Sequence, residues 1–161
     1  MKNQCPKDHD PTVEDAYVIQ IDEYEGKEFK ILDTAGEEDY QNMIDQWINS
    51  ANGFLLVFAI NDKETFEALK VKVKRIEKNE ANKLPLIVVG NKCDLQDQRE
   101  VPSQEAEEFA KSINAKYFET SALNDMNGNV KVVFSECAAM ILEKGKKGED
   151  GKKKCVGCSI F

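Results

Sequence analysis

Apolar residues change their spacing several times along this chain, and each change marks an element. Tyr17, Ile19 and Ile21 alternate with polar neighbours up to Tyr24, the pattern of a half-buried edge strand. Glu25-Gly26-Lys27 reads as a turn, and Phe29-Lys30-Ile31-Leu32 returns as a second strand, so the two form an antiparallel hairpin. Phe54-Leu55-Leu56-Val57-Phe58-Ala59-Ile60 is apolar without alternation, as expected of a strand covered on both faces. Leu86-Ile87-Val88-Val89 is another such run, and Lys116-Tyr117-Phe118-Glu119 is a shorter last strand.

Helical spacing fills the intervals. Phe66, Leu69, Val73 and Ile76 form one stripe, with lysines on the other face. Ala106, Phe109, Ala110 and Ile113 form a second, after a start at Pro102-Ser103 where Ser103 is placed to cap the first turn. The third is the clearest, with Val130, Val133, Phe134, Cys137, Ala138, Ile141 and Leu142 at i, i+3, i+4, ended by Lys144 and Gly145. These stripes are core-packing faces. Strands alternating with helices predict an α/β fold with a mainly parallel sheet and one antiparallel edge hairpin. The domain is drawn over residues 1–142. Residues 143–161 are read as a polar, glycine-broken, flexible polybasic tail, without structure from Gly145 onward.

Composition narrows the class. A chain of 161 residues, 41% hydrophobic and 32% charged, suits one soluble α/β domain. No apolar run approaches the roughly 20 residues of a membrane span, and no N-terminal signal pattern is present. The net charge of −8 argues against general nucleic-acid binding. Residues 144–154 nevertheless carry a local balance of +4, leaving −12 for the rest. A basic tail on an acidic body points to an anionic membrane surface. The five cysteines are scattered and odd in number, and read as reduced thiols. Cys155-Val156-Gly157-Cys158 is formally a CxxC, but it has no second pair and no βαβ context to make it a zinc or redox site.

Three polar segments stand at the C-terminal ends of predicted strands, where open α/β sheets place their ligands. They are Asp33-Thr34-Ala35-Gly36, Asn91-Lys92-Cys93-Asp94 and Glu119-Thr120-Ser121-Ala122. Any one of them could be an ordinary polar turn, since Asn and Asp are common there. In order and at this spacing they resemble the guanine-nucleotide site of Ras-family small GTPases, and the resemblance runs from about Asn3 to the last residue. It implies a P-loop NTPase-like G domain that binds GTP or GDP with Mg2+ and hydrolyses GTP.

On that resemblance, Asn91 and Asp94 recognise guanine. A carboxylate accepts from the ring N–H and the exocyclic amine together, a pair adenine does not offer. The stem of Lys92 lies along the base, Ala122 gives its backbone N–H to the exocyclic oxygen, and Ser121 braces the loop. Asp33 holds magnesium through water, and the Gly36 N–H meets the γ-phosphate. Asp10-Pro11-Thr12-Val13-Glu14-Asp15-Ala16-Tyr17 resembles the first switch and effector segment. Thr12 there supplies contacts to magnesium and γ-phosphate, and Glu14 and Asp15 face basic residues on effectors, beside an edge strand open to augmentation. Effectors, exchange factors and GTPase-activating proteins are the implied partners of a monomer.

The departures matter as much. Family members begin with a strand, then GxxxxGK[ST], then a helix, whereas this sequence starts near the end of that helix. The phosphate cradle, its lysine and its magnesium-binding hydroxyl are not among these residues. Glu37 stands where the family carries its water-orienting glutamine; a carboxylate accepts from water but cannot donate to the transition state. Cys5 replaces the aromatic beside the base, and Leu123 a common lysine. The strand not present belongs mid-sheet, between Phe29–Leu32 and Phe54–Ile60. Four or five buried aliphatic residues at ~1.5–3 kcal/mol each amount to roughly 10 kcal/mol, comparable to a domain's whole net stability. The sequence is therefore expected to be N-terminally incomplete or, failing that, poorly folded alone.

The end of the chain is read independently. Cys158-Ser159-Ile160-Phe161 fits the C-a-a-X prenylation pattern, its terminal Phe favouring geranylgeranyl. Lys152, Lys153 and Lys154 supply the second signal a single lipid needs, and Cys155 is a candidate for palmitoylation. The expectation is a guanine-nucleotide-dependent signalling switch anchored to the cytoplasmic leaflet of the plasma membrane, with nucleotide binding and hydrolysis impaired. The alternative is a non-catalytic pseudo-GTPase that presents its acidic segment to effectors or regulators.

Overall fold

The first hairpin pairs as its alternation requires. In the computed structural model, which describes residues 14–21, 24, 27–34, 41–79, 83–124, 129–145 and 156–160, β1 (Glu14–Gln20) runs antiparallel to β2 (Glu28–Thr34). Tyr17 lies opposite Ile31 and Asp15 opposite Asp33. Phe29 and Ile31 of β2 are buried while Glu28 and Lys30 are exposed, the period of two that a one-faced strand shows. β1 begins three residues earlier than its alternation suggests, so it includes Glu14, Asp15 and Ala16 of the acidic segment.

The two continuous apolar runs form the middle of the sheet. β3 (Gly53–Ala59) and β4 (Leu86–Asn91) are parallel, with Phe54 opposite Leu86 and Leu56 opposite Val88, and β5 (Lys116–Glu119) adds parallel to β4. Phe54, Leu56, Ile87 and Val88 are fully buried, consistent with helices on both faces.

The tail corrects one expectation. Its last residues are not without structure: β6 (Val156–Ile160) lies between β2 and β3, parallel to both, giving the strand order β1-β2-β6-β3-β4-β5. That is the mid-sheet place assigned above to the strand not present in the sequence. The physical cause is non-local. β2 and β3 each offer a row of backbone N–H and C=O groups that must be paired when buried. Val156, Cys158 and Ile160 give the last residues enough strand character to meet that need.

Among the described residues, four α-helices cover the sheet. Ile48 of α1 (Gln41–Ser50), the Phe66, Leu69, Val73 and Ile76 stripe of α2 (Lys63–Lys78), and Ala106 and Ala110 of α3 (Ser103–Ser112) share one core with Leu56, Phe58 and Val88. α4 (Asn129–Gly145) packs on the opposite face, where Val133, Cys137 and Ile141 meet Leu55, Ile87 and Val89. Successive strand residues thus feed opposite layers. α4 runs on past the domain edge drawn at residue 142 and ends where Lys144 and Gly145 were expected to end it.

Local signals explain where these helices start and how they dock. Asp62 caps α2, accepting from Glu64 N at 3.0 Å and Thr65 N at 3.3 Å. Phe66 then packs between Phe58 and Phe109, with ring centroids 4.7 and 5.5 Å away. Arg75 clamps α2 to α1 through two hydrogen bonds to Asp45, at 2.9 and 3.2 Å. Ser103 does not cap α3; the N-cap is Pro102, and the Ser103 hydroxyl is committed elsewhere. α1 was not anticipated, although Met43, Ile44, Trp47 and Ile48 carry helical spacing.

Candidate functional site

Because β2, β6, β3, β4 and β5 are mutually parallel, their C-terminal ends share one edge of the sheet. Asp33 and Asn91 lie at the C-terminal ends of β2 and β4, with β6 and β3 between them.

At the β4 end the chain narrows to Gly90 for a steric reason. A Cβ there would fall 2.8 Å from Tyr117 Oη, 3.0 Å from Ile60 Cγ2 and 3.3 Å from Phe58 Cζ. Glycine alone lets Tyr117 cross this close to β4. Asn91 follows, and its Oδ1 accepts from Thr120 Oγ1 at 3.3 Å and from Ala122 N at 3.2 Å. Backbone bonds run alongside, from Thr120 N to Gly90 O at 2.9 Å and from Cys93 N to Thr120 O at 3.0 Å. Lys92 takes φ 62°, a left-handed turn that lets the chain leave the strand sharply. Ser121, buried, accepts from Asn124 N at 2.9 Å.

The two loops are therefore stapled into one unit. Asn91 acts as the staple, its Oδ1 holding the Thr120 hydroxyl and the Ala122 N–H. Asp94 is exposed and makes no hydrogen bond among the described residues, and Lys92 is exposed beside it. An exposed carboxylate beside an aliphatic stem is an acceptor arrangement that would suit guanine's paired N–H donors.

Beneath the loops lies a polar knot that no motif indicated. Glu119, at the end of β5, accepts two hydrogen bonds from Arg99, Nη1 at 3.0 Å and Nη2 at 2.8 Å. It also accepts from Tyr117 Oη at 2.7 Å and Ser103 Oγ at 2.8 Å. Burial pushes the Glu119 carboxyl up, but the bonds from Arg99, Tyr117 and Ser103 outweigh it and hold it below its ordinary value. Burial, and then the bond to Glu119, raise the Tyr117 phenol well above its usual range. The knot ties α3 and the segment before it to the residue preceding Thr120. The Cys93 thiol is raised by burial and by neighbouring Glu119 and Asp94, so it is not an activated nucleophile. An open cleft of about 580 Å3 beside the knot, lined by Ser103, Glu107, Tyr117, Glu119, Asn129 and Val132, contains none of Asn91, Lys92, Asp94, Ser121 and Ala122.

At the β2 end, Asp33 is half-buried and faces Asp15 across the ladder. Burial, then Asp15, raises its carboxyl above the ordinary range. Tyr17 Oη donates to Asp15 Oδ2 at 3.2 Å, and the phenol is raised by that bond and by the same charge. Two facing carboxylates suit a cation. No group of three metal-ligating side chains occurs among the described residues. Thr12, Gly36 and Glu37, with Asp10, Pro11 and Val13, lie outside the described residues, as do Cys5, Cys155 and the lysines at 152–154. Cys158 lies within β6.

A mainly parallel sheet layered by helices, with polar loops stapled at the C-terminal edge, defines a nucleotide-binding α/β protein of G-domain type. The family model described as the Ras family matches residues 1–143. The chain is 37% identical over 161 residues to Ras-like protein rasB of Dictyostelium discoideum, covering 96% of this chain and 77% of that one. It is 36% identical to Ras-like protein 2 of Drosophila melanogaster, covering 92% and 82%. It is 42% identical to human Ras-related protein R-Ras, over 74% of this chain and 56% of that one. The chain belongs to the Ras family of small GTPases.

Proposed function

We propose that this protein is a guanine-nucleotide-dependent signalling switch. On the family resemblance, Thr12 and Gly36 would meet the magnesium and the γ-phosphate of GTP, and effectors, exchange factors and GTPase-activating proteins would read residues 10–17. The observation that carries this reading is the Asn91 staple, which leaves Asp94 free on a fixed loop at the ligand-binding edge. Asp33 would hold the magnesium through water, and the ion would neutralise phosphate charge. On the family resemblance Glu37 takes the place of the water-orienting glutamine and offers no donor, so hydrolysis is expected to be negligible. These 161 residues contain no GxxxxGK[ST], so nucleotide affinity of this polypeptide is far below that of the family. Chromatography of nucleotide released by denaturing the purified polypeptide tests this. Stoichiometric GDP or GTP would refute the impairment.

A second reading is supported by β1, the outermost strand, where Asp15, Tyr17 and Val18 are exposed. It is a non-catalytic module that presents this acidic edge without nucleotide. Nucleotide-independent effector binding supports it, and a circular-dichroism melt with no cooperative transition sinks it.

For location, we place the protein on the cytoplasmic side of the plasma membrane, held by a C20 prenyl group on Cys158. One lipid alone attaches weakly, and the lysines at 152–154 add about 1 kcal/mol each near anionic lipid. Cys155 is a site for a further palmitoyl group.

A further inference from the structure

Ser103 is the aliphatic hydroxyl of the polar knot, and it borders the open cleft. It donates to Glu119 Oε1 at 2.8 Å, an oxygen that also accepts from Arg99 Nη1 and Tyr117 Oη. Arg99 and Glu119 are largely buried, whereas Ser103 is half-buried with exposed neighbours at Pro102 and Gln104. The backbone is extended at Arg99, with φ −62° and ψ 125°, and at Pro102, with φ −59° and ψ 138°. Glu105, Glu107 and Glu108 follow on α3. An extended approach, exposed flanks and downstream carboxylates suit a serine kinase that reads acidic sequence.

We propose that Ser103 is a phosphorylation site, and that its phosphoryl group takes Arg99 from Glu119 and so loosens the stapled loops. In the reaction, Ser103 Oγ attacks the γ-phosphorus of ATP. The new O–P bond forms, the bond to the β-phosphate oxygen breaks, ADP leaves, and the hydroxyl proton passes to the kinase's base.

The esterified oxygen no longer donates to Glu119. In place of that bond, a group of about −1.5 to −2 charge stands beside the carboxylate. Glu107, one turn further along α3 and on the same cleft, repels it as well. Arg99 offers the opposite charge within reach, since its Nη1 bonds the same Glu119 oxygen as Ser103, at 3.0 Å. The guanidinium edge that holds the carboxylate by two N–H groups fits a phosphate in the same way. Bonds from Arg99 Nε to Gln96 Oε1 at 3.0 Å and from Nη1 to Val101 O at 3.1 Å keep that edge beside Ser103 when Glu119 leaves. Of its three side-chain partners, the Glu119 carboxylate then keeps only the Tyr117 hydroxyl. Thr120 follows directly, and it carries the bonds to Gly90, Cys93 and Asn91 that hold the two loops together. Loosening at Glu119 therefore reaches the staple through one peptide unit.

The test uses the folded 161-residue chain with phosphoserine installed at position 103 during translation, beside the unmodified chain and Ser103→Ala. Hydrogen exchange is read at the amides of Cys93, Thr120 and Ala122. The phosphorylated chain is expected to exchange there about tenfold faster than the unmodified chain, and Ser103→Ala, which removes the bond without adding charge, less than about threefold faster. Phosphorus NMR gives a second reading. Paired with Arg99, the phosphate should titrate below its ordinary value of about 6, and return to it in Arg99→Gln. A phosphopeptide of residues 100–108 supplies the unpaired reference if Arg99→Gln fails to fold. Labelling with radioactive ATP by a serine kinase that reads acidic sequence is expected at Ser103 of the folded chain and absent in Ser103→Ala. No label at Ser103 overturns the site. Exchange unchanged by the phosphate, or raised equally by Ser103→Ala, overturns the coupling. A phosphate that titrates at the reference value overturns the transfer of Arg99.

Discussion

Replacing Gly90 by alanine tests whether the stapled loops at Asn91 and Ala122 depend on the close passage of Tyr117 across β4. The added Cβ would sit 2.8 Å from Tyr117 Oη and 3.0 Å from Ile60 Cγ2, closer than packed atoms tolerate. The hydroxyl cannot simply retreat, because it is bonded to Glu119 at 2.7 Å. Overpacking of this kind costs about 1–3 kcal/mol. Tyr117→Phe alone removes a hydrogen bond to a half-buried carboxylate and should cost about 1.5–3 kcal/mol. In the double variant the new methyl group occupies space the hydroxyl has left, so the two penalties should not add. The double variant is expected to be more stable than the sum predicts by about 1 kcal/mol or more. Urea unfolding of the four proteins, followed by circular dichroism with the slopes compared, measures this directly. Additivity within about 0.5 kcal/mol would refute the claim that the glycine exists to admit Tyr117.

Glu119→Gln should lower stability by about 1.5–3 kcal/mol at neutral pH, since Arg99 loses its charged partner. The folded carboxyl lies below its ordinary 4.5, so its contribution is complete above that pH and fades as pH falls through the lower folded value. The gap between the two proteins in pH-dependent urea titrations should therefore shrink below about pH 4.5; a constant gap would contradict the ion-pair account. Asp62→Ala should cost about 1 kcal/mol by uncapping α2, seen as a lower denaturation midpoint with an unchanged slope. Cys158→Ser should move the folded protein from the membrane pellet to the soluble fraction of cells, whereas replacing the lysines at 152–154 should only loosen it. Persistent pelleting of non-aggregated Cys158→Ser protein would end the lipid-anchor reading.

Much of this molecule is written in local pattern. The unbroken apolar runs of β3 and β4, the 3.6-residue stripes of α2, α3 and α4, and the alternation of β2 follow from side chains choosing layers. That choice is visible one residue at a time. Asn91-Lys92-Cys93-Asp94 and Glu119-Thr120-Ser121-Ala122 were legible as neighbouring segments because each begins on the last residue of a strand. α1 was missed although its helical spacing of Met43, Ile44, Trp47 and Ile48 was present. Which partner each polar group takes could not be read this way. Arg99 and Glu119 stand twenty residues apart, and Asn91 and Ala122 thirty-one. Only the stacking of β4 against β5 brings them within hydrogen-bonding distance. The same holds for the tail: lysine and glycine content argue for a solvated segment, and taken alone its last six residues would remain one. Its entry between β2 and β3 is decided by two buried strand edges far away in sequence, whose unpaired backbone groups make a weak local strand preference into a sixth strand.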